Sequence, residues 1–209
     1  MRLAAIVLAG GAATRFGGDK LAADLDGRPV LEHALRAVAA IADPVVVVVG
    51  PDDPTPRIPC ELGVRVVMAR DAVARQGPLA GLGSGVAVLA GLGSDEGDDR
   101  PPGVVIVVAG DMPSLVPAVL QLLAETVAAD PGVGAAHLET DPPSPLPAAV
   151  RASLAGPASA RLLAADRRSL RDLFDAVPTA IVPAGSWRSL DPEARTLRDI
   201  DTRADLGGG

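Results

Sequence analysis

Leu3-Ala-Ala-Ile-Val-Leu8 runs directly into Ala9-Gly10-Gly11-Ala12-Ala13-Thr14-Arg15-Phe16-Gly17-Gly18-Asp19-Lys20. The first six residues are apolar without alternation, which reads as a strand buried on both faces. The segment after them is too rich in glycine to continue a strand, and it carries two cations. A buried strand ending in such a loop is the opening unit of a layered α/β sheet.

The same pattern recurs outward from this stretch. Apolar runs at Val45–Val49, Val64–Met68, Val104–Val108, Val133–His137 and Thr179–Val182 read as further strands. Between them, Pro29–Ala42, Pro78–Leu92, Ser114–Ala129 and Ser159–Ala176 have helical periodicity. Pro29 and Pro78 suit a first helical turn, where the missing N–H costs nothing. Strand alternating with helix predicts a three-layer α/β fold with a mostly parallel, doubly wound sheet of Rossmann-like type. Ligands of such sheets lie beyond the carboxyl ends of the strands. Pro51–Gly63 and Ser94–Gly103 read as surface loops. Glu139–Pro147 reads either as a solvated connector or as a substrate loop on the ligand side.

The 209 residues suffice for one well-buried domain, expected over residues 1–206 with a flexible glycine tail at 207–209. One Trp, two Phe and no Tyr leave Val, Leu, Ile and Ala to build the core. A net charge of −7 provides no general basic surface, so neither a nucleic acid nor an anionic membrane is an expected partner. Cys60 is the single cysteine, which precludes an intrachain disulfide. With no signal-peptide pattern and no segment of transmembrane length, a cytoplasmic location is expected.

A phosphate ligand must then be held locally. In the N-terminal loop, glycines admit backbone N–H groups close to an anion, while Arg15 and Lys20 supply a fork and a compact charge. The Walker A pattern is excluded, because Lys20 follows Asp19 and precedes Leu21. The dinucleotide fingerprint is excluded too, since Gly10 and Gly11 are adjacent and no third glycine falls on register. Val104–Val108 ends in Ala109-Gly110-Asp111-Met112-Pro113. A carboxylate there needs a cation, for which magnesium is suited; the alternative is a cap on the helix starting near Ser114. Asp71 precedes Gln76-Gly77-Pro78-Leu79-Ala80-Gly81 and reads as either a site acid or a loop acid.

Leu8-Ala9-Gly10-Gly11 with Arg15, Gly17 and Lys20 closely resembles the signature of the molybdenum cofactor guanylyltransferases, within the nucleotidyltransferases of the sugar-nucleotide pyrophosphorylase type. Many cytidylyl- and sugar-nucleotide relatives have Leu-Ala-Ala-Gly at this place, so Gly10 favours guanine. Gly110-Asp111-Met112-Pro113 and Gly77–Gly81 resemble two further family motifs. The segment from Leu197 to Leu206 resembles the closing Asn-x-Asn-Thr-Pro-Glu-Asp-Leu, with Asp199 and Asp201 in place of the asparagines and Arg203 in place of the proline. Asp-Ile-Asp-Thr also occurs in cytidylyl relatives, so this end does not support guanine.

The resemblance implies a magnesium-dependent transfer of GMP from GTP to molybdopterin with release of pyrophosphate. Leu8, Ala9, Gly10 and Gly11 would meet the nucleotide, with Asp71, Gly77, Pro78, Leu79 and Gly81 beside it. Arg15 and Lys20 would hold phosphates, and Asp111 would hold Mg2+. Asp201 or Asp199 would add a second metal carboxylate or cap the last helix through Thr202. Other cofactor-biosynthesis or molybdoenzyme-maturation proteins are the implied protein partners. The rival readings are a cytidylyltransferase for the same cofactor, a guanylyltransferase for another small phosphate, and a catalytically silent nucleotide-binding module. His33, His137, Trp187 and Cys60 are read as structural.

Overall fold

The computed structural model describes residues 3–10, 16–71, 76–92 and 103–207. Its centre is a seven-stranded sheet of β1 (Leu3–Leu8), β4 (Val45–Val49), β5 (Val66–Arg70), β6 (Val104–Ala109), β7 (Ala135–Leu138), β8 (Ala148–Arg151) and β9 (Thr179–Val182). The spatial order is β5-β4-β1-β6-β8-β7-β9. The pairs β5–β4, β4–β1, β1–β6 and β7–β9 are parallel, whereas β8 runs antiparallel to both β6 and β7. A two-residue ladder of β2 (Asp24–Leu25) and β3 (Arg28–Pro29) lies outside this sheet.

The unbroken apolar runs are explained by two covering layers. Ala5 and Val7 face one layer, with α1 (Val30–Ala39) and α3 (Pro117–Ala129). Ala4 and Ile6 face the other, with α2 (Pro78–Leu92), α4 (Ala152–Ala164) and α5 (Leu170–Ala176). A short α6 (Ala184–Arg188) seats Trp187 in the first layer. On α2, glycines at 81 and 85 let the helix settle onto β1: a Cβ there would come within 2.9 Å of Leu8 and 2.7 Å of Ile6. Among the described residues no helix is long and apolar enough to cross a membrane.

The expected α/β class and mostly parallel sheet stand. Several local expectations are corrected. The stretch 148–151 is a strand, β8, sitting between β6 and β7. The helix expected over Ser159–Ala176 is two helices, because Ser169 caps a separate α5. The strand expected at Val64–Met68 lies at Val66–Arg70, two residues later. Pro29 is the N-cap of α1 rather than its first-turn residue. Gly207 closes a 3-10 helix that starts at Arg203.

Candidate functional site

Leu8 is opposite Val48 on one side and Ala109 on the other, so β4, β1 and β6 end side by side. Over these carboxyl ends lies a cavity of about 500 Å³. Leu8, Ala9, Gly10, Gly18, Asp19, Lys20 and Leu21 line it from the first loop, and Ala109 and Asp111 from β6. Asp53, Pro54 and Pro56 form another wall, completed by Pro78 and Leu146.

The chemistry is densest around Lys20. Its Nζ lies 2.5 Å from Asp111 Oδ2 and 3.5 Å from Asp201 Oδ1. Both Lys20 and Asp111 are largely shielded, with side-chain exposures of 17% and 21%, whereas Asp201 is at 57%. Burial alone would lower the Lys20 pKa; the hydrogen bond and charge of Asp111, joined by Asp201, outweigh it and raise the pKa. Lys20 therefore stays protonated at neutral pH. Asp199 has the opposite experience. Burial, then the charges of Asp201 and Asp111, push its carboxyl above the ordinary range, opposed in part by Lys20 and its own N–H.

Local structure sets these positions. Asp19 Oδ1 accepts from the N–H groups of Leu21 (3.1 Å) and Ala22 (3.2 Å), which fixes the turn at Lys20. The backbone N–H of Ile200 donates to Asp111 O at 2.9 Å, and the Ile200 side chain packs with Phe16 and Val30. In an extended segment, neighbours of a buried residue point outward, so burial of Ile200 turns Asp199 and Asp201 away from the core. Asp111 does not cap α3, whose N-cap is Val116. Nor does Asp201 cap the last turn: Asp205 Oδ2 accepts from the N–H groups of Asp201 and Thr202 and from the Thr202 hydroxyl.

The cavity gathers Leu8, Ala9, Gly10, Lys20, Pro78 and Asp111 from the expected site, with Asp201 beside Lys20. Gly11 and Arg15 lie outside the described residues. Asp71 follows β5 and accepts from the Ser84 hydroxyl at 2.7 Å, within a groove along α2. Gly77 has φ +79° and abuts the carbonyl of Arg168, so it sets the entry to α2. The Leu79 side chain is fully buried in the core, and Gly81 packs on Leu8. His33 bonds to Leu25 O, His137 stacks on Phe174, Trp187 donates to Glu139 O, and Cys60 is exposed; none of them lines the cavity.

The loop after β4 is the part that the sequence reading missed. Its Pro- and Asp-rich composition looks like a solvated connector, yet Asp53, Pro54 and Pro56 form a cavity wall. The available signal was position, directly beyond the carboxyl end of a buried strand. Leu146 likewise brings Glu139–Pro147 to the cavity rim.

The MobA-like NTP transferase domain matches residues 5–180 of the chain. The chain belongs to the MobA-like NTP transferase family. Within this family, the probable molybdenum cofactor guanylyltransferase of Mycobacterium avium (strain 104) is 32% identical to it, covering 99% of this chain and 94% of that protein. The probable molybdenum cofactor guanylyltransferase of Chloroflexus aggregans is 30% identical over 99% of this chain and 92% of its own length. Among solved structures, the molybdopterin-guanine dinucleotide biosynthesis protein A of Archaeoglobus fulgidus shares the fold, with a TM-score of 0.74 at 22% identity, covering 99% and 95% of the two chains. As a MobA-like NTP transferase the chain is a nucleotidyltransferase, and its cavity lies where sheets of this class bind ligands.

Proposed function

We propose that this protein transfers GMP from GTP to the phosphate of molybdopterin, releasing pyrophosphate. The observation that carries the reading is the pairing of Lys20 with Asp111 beyond the end of β6, in one cavity with Leu8–Gly10 at the end of β1, with Asp201 3.5 Å from Lys20. The guanine and molybdopterin parts are supported by relatives named as molybdenum cofactor guanylyltransferases at about one-third identity over nearly the whole chain.

The residues present fit magnesium. The Lys20 ammonium lies between two carboxylates, the place a cation takes, and the donors are hard oxygens. Among the described residues no cluster of three or more metal-binding side chains forms a full protein cage. Magnesium commonly uses one or two carboxylates and draws its remaining oxygens from phosphate and water. Asp111 would hold it, with Asp201 as the second carboxylate. When bound there, magnesium supplies charge neutralisation and alignment of phosphate oxygens.

The chain's own residues do the rest. An oxygen of the acceptor phosphate forms a bond to the α-phosphorus, the bond from that phosphorus to the bridging oxygen breaks, and pyrophosphate leaves. Lys20, held protonated, neutralises charge on the departing oxygens. Arg15 serves as a second phosphate cation. An ionised phosphate nucleophile needs no general base, consistent with both histidines lying away from the cavity. Leu8–Gly10 form the floor on which the nucleotide is oriented.

Pyrophosphate release from GTP, CTP and ATP, measured with molybdopterin and magnesium, tests this. GTP is expected to support the fastest turnover, and omission of magnesium to abolish it. Faster turnover with CTP would replace guanylyl by cytidylyl transfer. Magnesium-dependent GTP binding without pyrophosphate release would make the protein a silent binding module.

A further inference from the structure

The loop after β4 is short of hydrogen-bond donors. Pro51, Pro54 and Pro56 have no backbone N–H. The root of the loop is tied locally: Asp53 N–H donates to Gly50 O at 3.3 Å, and Gly50 N–H to Asp53 Oδ2 at 3.0 Å.

Further donors come from the neighbouring strand. Arg70 ends β5 and lies opposite Val49, the last residue of β4. Its Nη1 donates to Gly50 O (3.0 Å), Pro51 O (3.3 Å) and Asp53 O (2.8 Å), and its Nη2 to Thr55 Oγ1 (2.9 Å). Three carbonyl dipoles thus converge on one nitrogen of a guanidinium. A planar fork of five donors suits acceptors spread from Gly50 to Thr55; an ammonium has three, on one atom.

The loop held in this way is part of the cavity. Asp53, Pro54 and Pro56 line it, as do Leu8, Ala9 and Gly10. The two segments touch: a Cβ on Gly10 would lie 2.8 Å from Gly50 N. A nucleotide resting on Leu8–Gly10 therefore has this loop as a neighbouring wall, whichever direction it takes from there. Arg70 itself does not line the cavity.

We propose that Arg70 is a positioning residue for nucleotide binding: it clamps residues 50–55 to the end of β5 and so fixes the wall of Asp53, Pro54 and Pro56 beside the first loop. The inference rests on the nucleotide-binding reading of Leu8–Gly10 above and deepens it. A wall ordered before the ligand arrives spares the cost of ordering it on binding, which appears as affinity. The Lys20–Asp111 pair makes no contact that depends on Arg70, so the chemical step is left in place. Loss of Arg70 then weakens binding and spares turnover at saturation.

The test is Kd for GTP by titration calorimetry, with KM and kcat from pyrophosphate release, for the wild type, Arg70→Ala, Arg70→Lys and Thr55→Val. In Arg70→Ala, Kd and KM for GTP are expected to rise about 5–30-fold, the scale of one or two lost hydrogen bonds, with kcat near the wild-type value. Arg70→Lys is expected to fall between the two, since an ammonium replaces part of the fork. A folded Arg70→Ala with wild-type Kd and KM overturns the proposal, and so does a fall in kcat at unchanged KM. If Arg70→Ala does not fold, Thr55→Val decides: a weaker Kd for GTP supports the proposal, and an unchanged one overturns it. The same titrations with CTP keep the two readings apart. A wild type that prefers CTP removes the guanylyl reading, and the proposal then stands or falls on the Kd for CTP in Arg70→Ala.

Discussion

Lys20 is cationic because of its neighbours as much as its own chemistry. Its burial opposes charge, while Asp111 at 2.5 Å and Asp201 at 3.5 Å favour it, and the carboxylates prevail. Removing the ammonium therefore leaves the acids to repel one another and, on the proposed reaction, removes a cation that neutralises the departing phosphate oxygens. Lys20→Ala and Asp111→Ala are each expected to lower kcat at least about 100-fold, the scale of one preorganised transition-state contact. Steady-state pyrophosphate release checks this, with circular dichroism confirming the fold; near-wild-type kcat in either folded variant removes that residue from the proposed machinery. Gly10 answers to a different force. A Cβ there would approach Gly50 N at 2.8 Å, and a backbone atom cannot swing aside. Gly10→Ala is expected to cost about 1–3 kcal/mol through overpacking, lowering Tm by about 2–10 °C in a thermal melt. An unchanged Tm would mean that the loop after β4 shifts at no cost.

At the scale of elements, what the sequence revealed depended on whether an element's cause was local. β1, β4 and β6 announce themselves by unbroken Val, Ile, Leu and Ala runs, because each is buried on both faces. β8 has only Ala-Ala-Val-Arg, a weak strand signal. Pairing makes it a strand: Val150 is opposite Val105 of β6 and Ala135 of β7, partners distant in the chain. The break between α4 and α5 did have a local mark, the Ser169–Asp172 capping box, which the helical periodicity on both sides obscured. The site divided in the same way. Lys20 and Asp111 sit in recognisable motifs, whereas the role of the Asp53 loop depends on Arg70 crossing from β5. The box also gives α5 a defined energetic anchor: Ser169 Oγ accepts from Arg171 N–H at 3.0 Å, and Asp172 Oδ2 from Ser169 N–H at 3.1 Å. Ser169→Ala is expected to cost about 0.5–2 kcal/mol, seen as a Tm lower by roughly 1–8 °C with little effect on kcat. A fall in kcat at unchanged Tm would contradict a purely structural role.

For the whole molecule, the two chain ends must meet before the site exists. The first loop contributes Lys20, and the C-terminal segment returns across it through Ile200, which bonds to Asp111 O. Asp191 secures that return. It is fully buried, accepts from Thr196 N–H at 2.7 Å, and Thr196 Oγ1 in turn accepts from Val116 N–H at the start of α3. Burial would raise the Asp191 pKa, but the bonds from Thr196 and Arg195 and the Arg195 charge hold it below the ordinary range. Asp172, bonded to Arg167 and capping α5, and Asp205, bonded to Thr202, are depressed as well. Each of these groups binds fewer protons when folded than unfolded, between its folded pKa and about 3.9. Stability therefore rises with pH across that interval and is lost as pH falls through it. Tm measured from pH 6 to pH 2.5 is expected to hold nearly level at first and then drop steeply below about pH 4. Asp191→Asn removes one of the depressed carboxyls, so its acid limb is expected to be shallower than the wild type's and its Tm lower at neutral pH. Parallel wild-type and variant curves through the acid limb would show that Asp191 does not couple closure of the chain ends to protonation.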